Sequence, residues 1–162
     1  MECDDGETWR QVPFCASRQS LLFHHKEHQE HKMTHAVIPP EIEDVGRLAV
    51  DAGLQVHAAL GAGLLESAYE HCLAYELSRR GLNVRRQVNL PITYEDTRLD
   101  VGYRVDLLVG TAVIVEIKSV DSLAPIHRAQ LLTYLKLSNR RLGFLMNFNV
   151  RLFKHGLQRM VV

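Results

Sequence analysis

The stretch Ala112-Val113-Ile114-Val115-Glu116-Ile117-Lys118 constrains the fold more than any other part of the chain. It is short, rich in β-branched residues and almost wholly apolar on both faces, the character of a strand covered on both sides. Such a strand belongs in the middle of a sheet. Gly110 marks a tight turn just before it. Ahead of that turn Leu99, Val101, Tyr103, Val105 and Leu107 alternate with other residues, and so do Val84, Val88, Leu90, Ile92 and Tyr94 further back, with a turn over residues 95–98 between them. The region therefore reads as three consecutive strands. Leu142 to Phe148 is a further apolar strand, and a final hairpin is expected around Lys154 to Gly156, ending in 157–162.

The helical period appears on either side of these strands. Pro39 and Pro40 precede Glu41, Glu43 and Asp44, which is first-turn chemistry, and Ile42, Val45, Ala49, Ala52, Val56 and Ala59 then recur at helical spacing. Gly61 and Gly63 break this helix. A second is expected from about Leu64 to Arg80, with Leu65, Ala68, Tyr69, Cys72, Leu73 and Leu77 as its apolar stripe and Gly81 after it. Pro125 opens a third, which ends near Ser138 and Asn139. The order ααβββαββ makes an α/β sandwich with a mixed central sheet.

Residues 1–36 differ from the rest. They hold the single Trp, two of the three Cys and five of the nine His, without sustained periodicity, and read as a poorly ordered extension before a domain spanning 37–162. His28, His31 and His35 would share a face if that stretch were helical. A His-rich tract without nearby Cys ligands is a compositional signal, read as an incidental polar tail or else as adventitious metal binding. No window approaches the roughly 18 apolar residues of a membrane span, so no membrane association is expected. The first ten residues carry four acids and no apolar core, unlike a secretory leader. Three scattered cysteines make no disulfide framework, so a reducing, cytoplasmic setting is expected.

Formal net charge is zero, but its distribution is polarised. After Asp121 no acidic residue occurs, while Arg128, Lys136, Arg140, Arg141, Arg151, Lys154 and Arg159 do. Such a segment suits binding to phosphate, or is simply a solvated basic face.

The chemistry concentrates in the central strands. Asp106 interrupts an apolar strand, and Glu116 and Lys118, two apart, project to one face. Burying such charges is costly unless they are paired or metal-bound. Because the two strands are joined by a minimal turn, Asp106 and Glu116 come within about a pairing step of each other. Side-by-side carboxylates repel, and a hard divalent cation relieves the repulsion. An ion pair of Lys118 with Glu116 or Asp106, without chemistry, is the competing reading. Glu66 offers a third carboxylate, or else an N-terminal helix charge. Gln130 and Tyr134 share a helix face at i and i+4.

Gly63, Glu66 and Tyr69 spell GxxExxY, Asp106 with Glu116-Ile117-Lys118 spells D-x9-ExK, and Gln130 to Tyr134 spells QxxxY. Together, in this order, they resemble the GxxExxY proteins, a branch of the PD-(D/E)XK nuclease superfamily, over about residues 40–162. Val105 stands where the superfamily name has proline, which is not a ligand. The resemblance implies a restriction-endonuclease-like fold and a Mg2+- or Mn2+-dependent phosphodiesterase acting on DNA. It implies Asp106, Glu116 and the Ile117 carbonyl as metal ligands, with Glu66 direct or through water, and Lys118 acting on the attacking water. Gln130 and Tyr134 would brace Lys118 or the DNA backbone. Arg128, Lys136, Arg140, Arg141, Arg151 and Lys154 would neutralise flanking phosphates. Two other functions fit the same residues: a nucleic-acid-binding or repair-accessory module with little cleavage, and a protein-interaction or regulatory domain whose acids are structural. A homodimer would pair two sites for double-strand cleavage, though nothing in the sequence demands one.

Overall fold

The computed structural model describes residues 37–162; the expectations for the His-rich tail 1–36 lie outside the described residues. Helices α1 (Pro40–Leu60) and α2 (Glu66–Arg79) come first, then strands β1 (Val84–Tyr94), β2 (Thr97–Val109) and β3 (Val113–Lys118). Helix α3 (Pro125–Leu137), β4 (Leu142–Asn147), the single turn α4 (Phe153–Gly156) and β5 (Leu157–Val161) complete the order. The described strands form one sheet in the order β1-β2-β3-β4-β5. Strands β3 and β4 are parallel, and the other neighbours are antiparallel. This is the expected α/β sandwich with a mixed sheet, and β3 is central, as its apolar run requires.

Each face has its own core. Helices α1 and α2 bury Ala49, Ala52, Tyr69, Leu73 and Leu77 against Val113, Val115, Ile117, Phe144 and Met146. Helix α3 buries Leu131, Tyr134 and Leu135 against Val105, Leu108, Ile114 and Leu145 on the opposite face. Because α3 links parallel strands, it carries the chain from the far end of β3 back to the start of β4.

Three details depart from the sequence reading. The buried face of α1 runs through Gly46 and Gly53, and Ala59 is exposed. A Cβ on Gly53 would lie 2.6 Å from the Phe153 ring, so glycine is needed for the helix to sit this close. Helix α2 starts at Glu66, later than expected, and leaves Leu65 78% exposed because Leu65 occupies the extended cap position. The expected terminal hairpin is instead a longer connection between β4 and β5 containing α4, so the order is ααβββαβαβ. Phe153 accounts for the extra turn: its ring packs 5.4 Å from that of Phe148 and tethers one turn of helix to the core.

Candidate active site

The site forms where β2 leaves β3. Their ladder pairs Leu107 with Val115 and does not continue past that pair, although β2 itself extends back to Thr97 in partnership with β1. The next step places Asp106 opposite Glu116. The Ile117 N–H, which would have bonded to β2 backbone, donates to Asp106 Oδ2 at 2.8 Å. Within a strand the N–H and C=O of one residue face the same neighbour, so the Ile117 carbonyl is directed to the gap that β2 leaves.

Glu116 is almost fully buried, at 1% exposure. Lys118 Nζ donates to its Oε1 at 2.7 Å. Its other oxygen, Oε2, is buried without a hydrogen-bond partner among the described residues. An orphaned carboxylate oxygen is expensive, and the electrostatics agree. Burial, reinforced by repulsion from Asp106, pushes Glu116 up to about 7. Burial also raises Asp106, against the opposing Ile117 hydrogen bond. Burial would depress the Lys118 ammonium, but its bond to Glu116 and the surrounding carboxylates outweigh this and raise it.

Glu66 opens α2 and accepts from the Ser119 N–H at 3.0 Å, just past the end of β3. Ser119 Oγ donates to the Leu64 carbonyl at 2.6 Å. Tyr69, fully buried and stacked on Phe148 with ring centroids 4.5 Å apart, explains this placement. Its hydroxyl donates to Gly61 O at 2.7 Å and accepts from Leu64 N at 3.1 Å, pinning the turn ahead of α2. Gly63 within that turn has φ of +102°, a conformation that favours glycine. The Gly63, Glu66 and Tyr69 spacing thus sets one carboxylate at the end of the strand that carries Glu116. Its charge is felt by Asp106, Glu116 and Lys118.

On the α3 side, Gln130 Nε2 donates to Tyr134 Oη at 2.6 Å. Burial raises the Tyr134 phenol, with Glu116 among the nearby charges, so it stays protonated. Asn147, paired with Lys118 across the ladder, holds the outgoing loop through bonds to Val120 N at 3.0 Å and Val120 O at 2.7 Å.

The structure thus brings Asp106, Glu116, Lys118, Gln130 and Tyr134 together, with Glu66 in charge range. It divides the basic residues. Arg151 and Lys154 follow the end of β4, the same end as Lys118, and Arg128 lies early in α3, with Nε 2.7 Å from Gln158 Oε1. Lys136, Arg140 and Arg141 lie at the other end, because α3 has carried the chain back before β4 begins. The separation along β4 is roughly 17 Å at about 3.3 Å per residue. Arg140 there donates to Thr111 O at 3.0 Å and Ser138 O at 3.1 Å. The structure does not bring these three to the acid pair.

Two residues near the site had no motif to flag them. Gln87 of β1 donates to Asp106 Oδ1 at 3.4 Å and to Glu70 Oε2 at 2.5 Å. Glu70 is 6% exposed and takes the Arg86 guanidinium at 2.8 Å. The one signal in the sequence was Glu70 next to Tyr69 on the helix's inward stripe.

The diverging strands thus carry one acid each, Asp106 and Glu116, with Lys118 two residues after the second. The family model of the PD-(D/E)XK nuclease superfamily matches residues 43–160, and the chain belongs to that superfamily. Neither the curated proteins nor the solved structures offer a match. Nucleases of this superfamily generally use a divalent metal such as Mg2+ or Mn2+. The residues present fit one: two hard carboxylates converge, one with an unpartnered buried oxygen, beside a backbone carbonyl at an open strand edge. No set of three His, Cys, Asp or Glu is grouped tightly enough among the described residues to enclose an ion unaided. The remaining ligands would have to be backbone, water or substrate oxygens, as is usual for Mg2+. No helix among the described residues is long and apolar enough to cross a membrane.

Proposed function

We propose that the protein is a Mg2+- or Mn2+-dependent deoxyribonuclease working through Asp106, Glu116 and Lys118. The observation that carries this reading is the buried, unpartnered Oε2 of Glu116 beside Asp106. A fold tolerates such an oxygen where a cation is to satisfy it. Asp106, Glu116 and the Ile117 carbonyl would hold the ion, with Glu66 reaching it directly or through water. When bound, the metal supplies Lewis-acid polarisation of the scissile phosphate and a more acidic water.

The chain's own residues do the rest. The Lys118 ammonium, fixed by Glu116, donates to the attacking water and to charge that develops on the phosphate. Its raised pKa comes from Glu116 and Asp106. With those carboxylates committed to a cation, Lys118 releases a proton more readily and can assist in activating water. Tyr134, kept protonated, and Gln130 offer neutral donors along the α3 side for a phosphate oxygen. Arg128, Arg151 and Lys154 flank the same end of the sheet and would bind neighbouring phosphates. Twelve of the fifteen Lys and Arg in residues 37–162 are Arg, which suits forked hydrogen bonding to phosphate and a DNA substrate.

One observation favours a binding module without cleavage: Lys118 and Glu116 already form an ion pair. Lys118→Met separates the readings. Chelator-treated protein is incubated with plasmid, linear, single-stranded and branched DNA, with and without Mg2+ or Mn2+. Metal-dependent cleavage that falls about 10² to 10⁴-fold in the variant, at unchanged metal affinity, supports the nuclease. DNA binding with no cleavage of any substrate by the parent protein would refute it.

A further inference from the structure

Strands β1 and β2 both change the face they present at the level of Asp106. Val84 packs on the α1–α2 side and Arg86 reaches Glu70 of α2, yet Val88 and Leu90 belong to the α3-side core. On β2, Leu107 and Val109 lie on the α1–α2 side and Val105 on the α3 side. Alternation by two fails across Gln87 in one strand and Asp106 in the other. The register pairs Arg86 with Leu107 and Val88 with Val105, so Gln87 and Asp106 lie opposite each other.

Gln87 accommodates the change with φ of +51°. A non-glycine residue in that region costs about 1 kcal/mol or more and persists only where its surroundings hold it. Here the side-chain amide does so, its two N–H groups spanning Glu70 and Asp106. The charges matter as much as the distances. Arg86 balances Glu70, while Gln87 gives Asp106 a donor but no counter-charge.

We infer that Gln87 is a positioning residue for a cation-binding carboxylate: it fixes Asp106 from one side, as the Ile117 N–H does from the other, and leaves its negative charge free for a divalent ion. This rests on the proposed metal role of Asp106. Partners that orient a metal ligand are typically worth 10- to 100-fold in affinity.

The test is Mn2+ binding by titration calorimetry on the folded full chain, alongside melting temperatures without metal. Gln87→Met removes the donor and should weaken Mn2+ binding by about 10- to 100-fold. Gln87→Lys should weaken it as much while the metal-free melting temperature holds or rises, because an ammonium there would bridge Glu70 and Asp106. Gln87→Gly guards against a variant that fails to fold: it relieves the backbone and removes the amide, so melting should hold while affinity still falls. A purely structural Gln87 would shift melting in these variants and leave affinity unmoved. Affinities within twofold of the parent in all folded variants would overturn the role of Gln87 alone. Absence of Mn2+ binding by the parent would overturn the metal reading, and this inference with it.

Discussion

Glu116→Gln should stabilise the metal-free protein at neutral and alkaline pH while abolishing its response to metal. The cause is the lift of Glu116 from 4.5 to about 7. A folded state that holds a proton more tightly than the unfolded state loses stability as pH rises between those two values. At about 1.4 kcal/mol per pH unit, the full cost above pH 7 is about 3 kcal/mol, a figure that already includes the attraction of Lys118. Glutamine keeps the shape and never ionises, so it escapes the cost. Near pH 4 and below, Glu116 is largely neutral in both states and the two proteins should melt nearly alike. At pH 8 the variant should melt higher by roughly 10 °C for a domain of this size. The assay is thermal or urea denaturation from pH 4 to 8 in chelator, repeated with Mg2+ or Mn2+. In metal the parent should gain stability, increasingly so at higher pH as the ion displaces the proton; the variant should gain little. A variant less stable than the parent at pH 8 in chelator would show that the Glu116–Lys118 pair is a net stabiliser and that the orphaned oxygen is not costly.

The divided basic residues predict divided effects. Reversing Arg151 and Lys154 to Glu should weaken binding to duplex DNA and flatten its salt dependence, by a slope of about 0.9 for each phosphate that is no longer neutralised. Reversing Arg140 and Arg141 should change both much less, and equal effects in a salt titration would refute the placement. Tyr69→Phe should cost about 1–2 kcal/mol, since it leaves Gly61 O and Leu64 N without their buried partner, and should slow cleavage by loosening Glu66; unchanged melting would show that the turn holds itself. Gly53→Ala should destabilise by about 1–3 kcal/mol through the clash with Phe153, measured by urea denaturation, and an unaffected midpoint would show that α1 can shift at no cost.

Much of the site was legible from local spacing. The apolar run around Glu116 marked a central strand, the two-residue period put Glu116 and Lys118 on one face, and the minimal turn at Gly110 brought Asp106 within about a pairing step of Glu116. These are short-range consequences of backbone geometry, and they survive folding because few residues separate the partners. Helix existence was equally local, although the buried face of α1 was not. Gly46 and Gly53 carry no hydrophobic signal, and they are inward because bulky Phe144 and Phe153 come from elsewhere in the chain.

What tertiary structure alone decided was the company the motif residues keep. The acid-free stretch after Asp121 reads as one basic segment, but α3 must return the chain to the start of a parallel strand, which divides its charges between opposite ends of the sheet. Glu70 and Gln87 join the site because β1 lies beside β2 and α2 packs over them, pairings separated by 17 residues or more from their partners in the chain. The reversal of faces at Gln87 breaks the very period on which a strand is recognised. Sequence spacing determined which groups could meet along one strand or turn; which end of the sheet they occupy, and which neighbour steadies them, was decided by packing between elements distant in the chain.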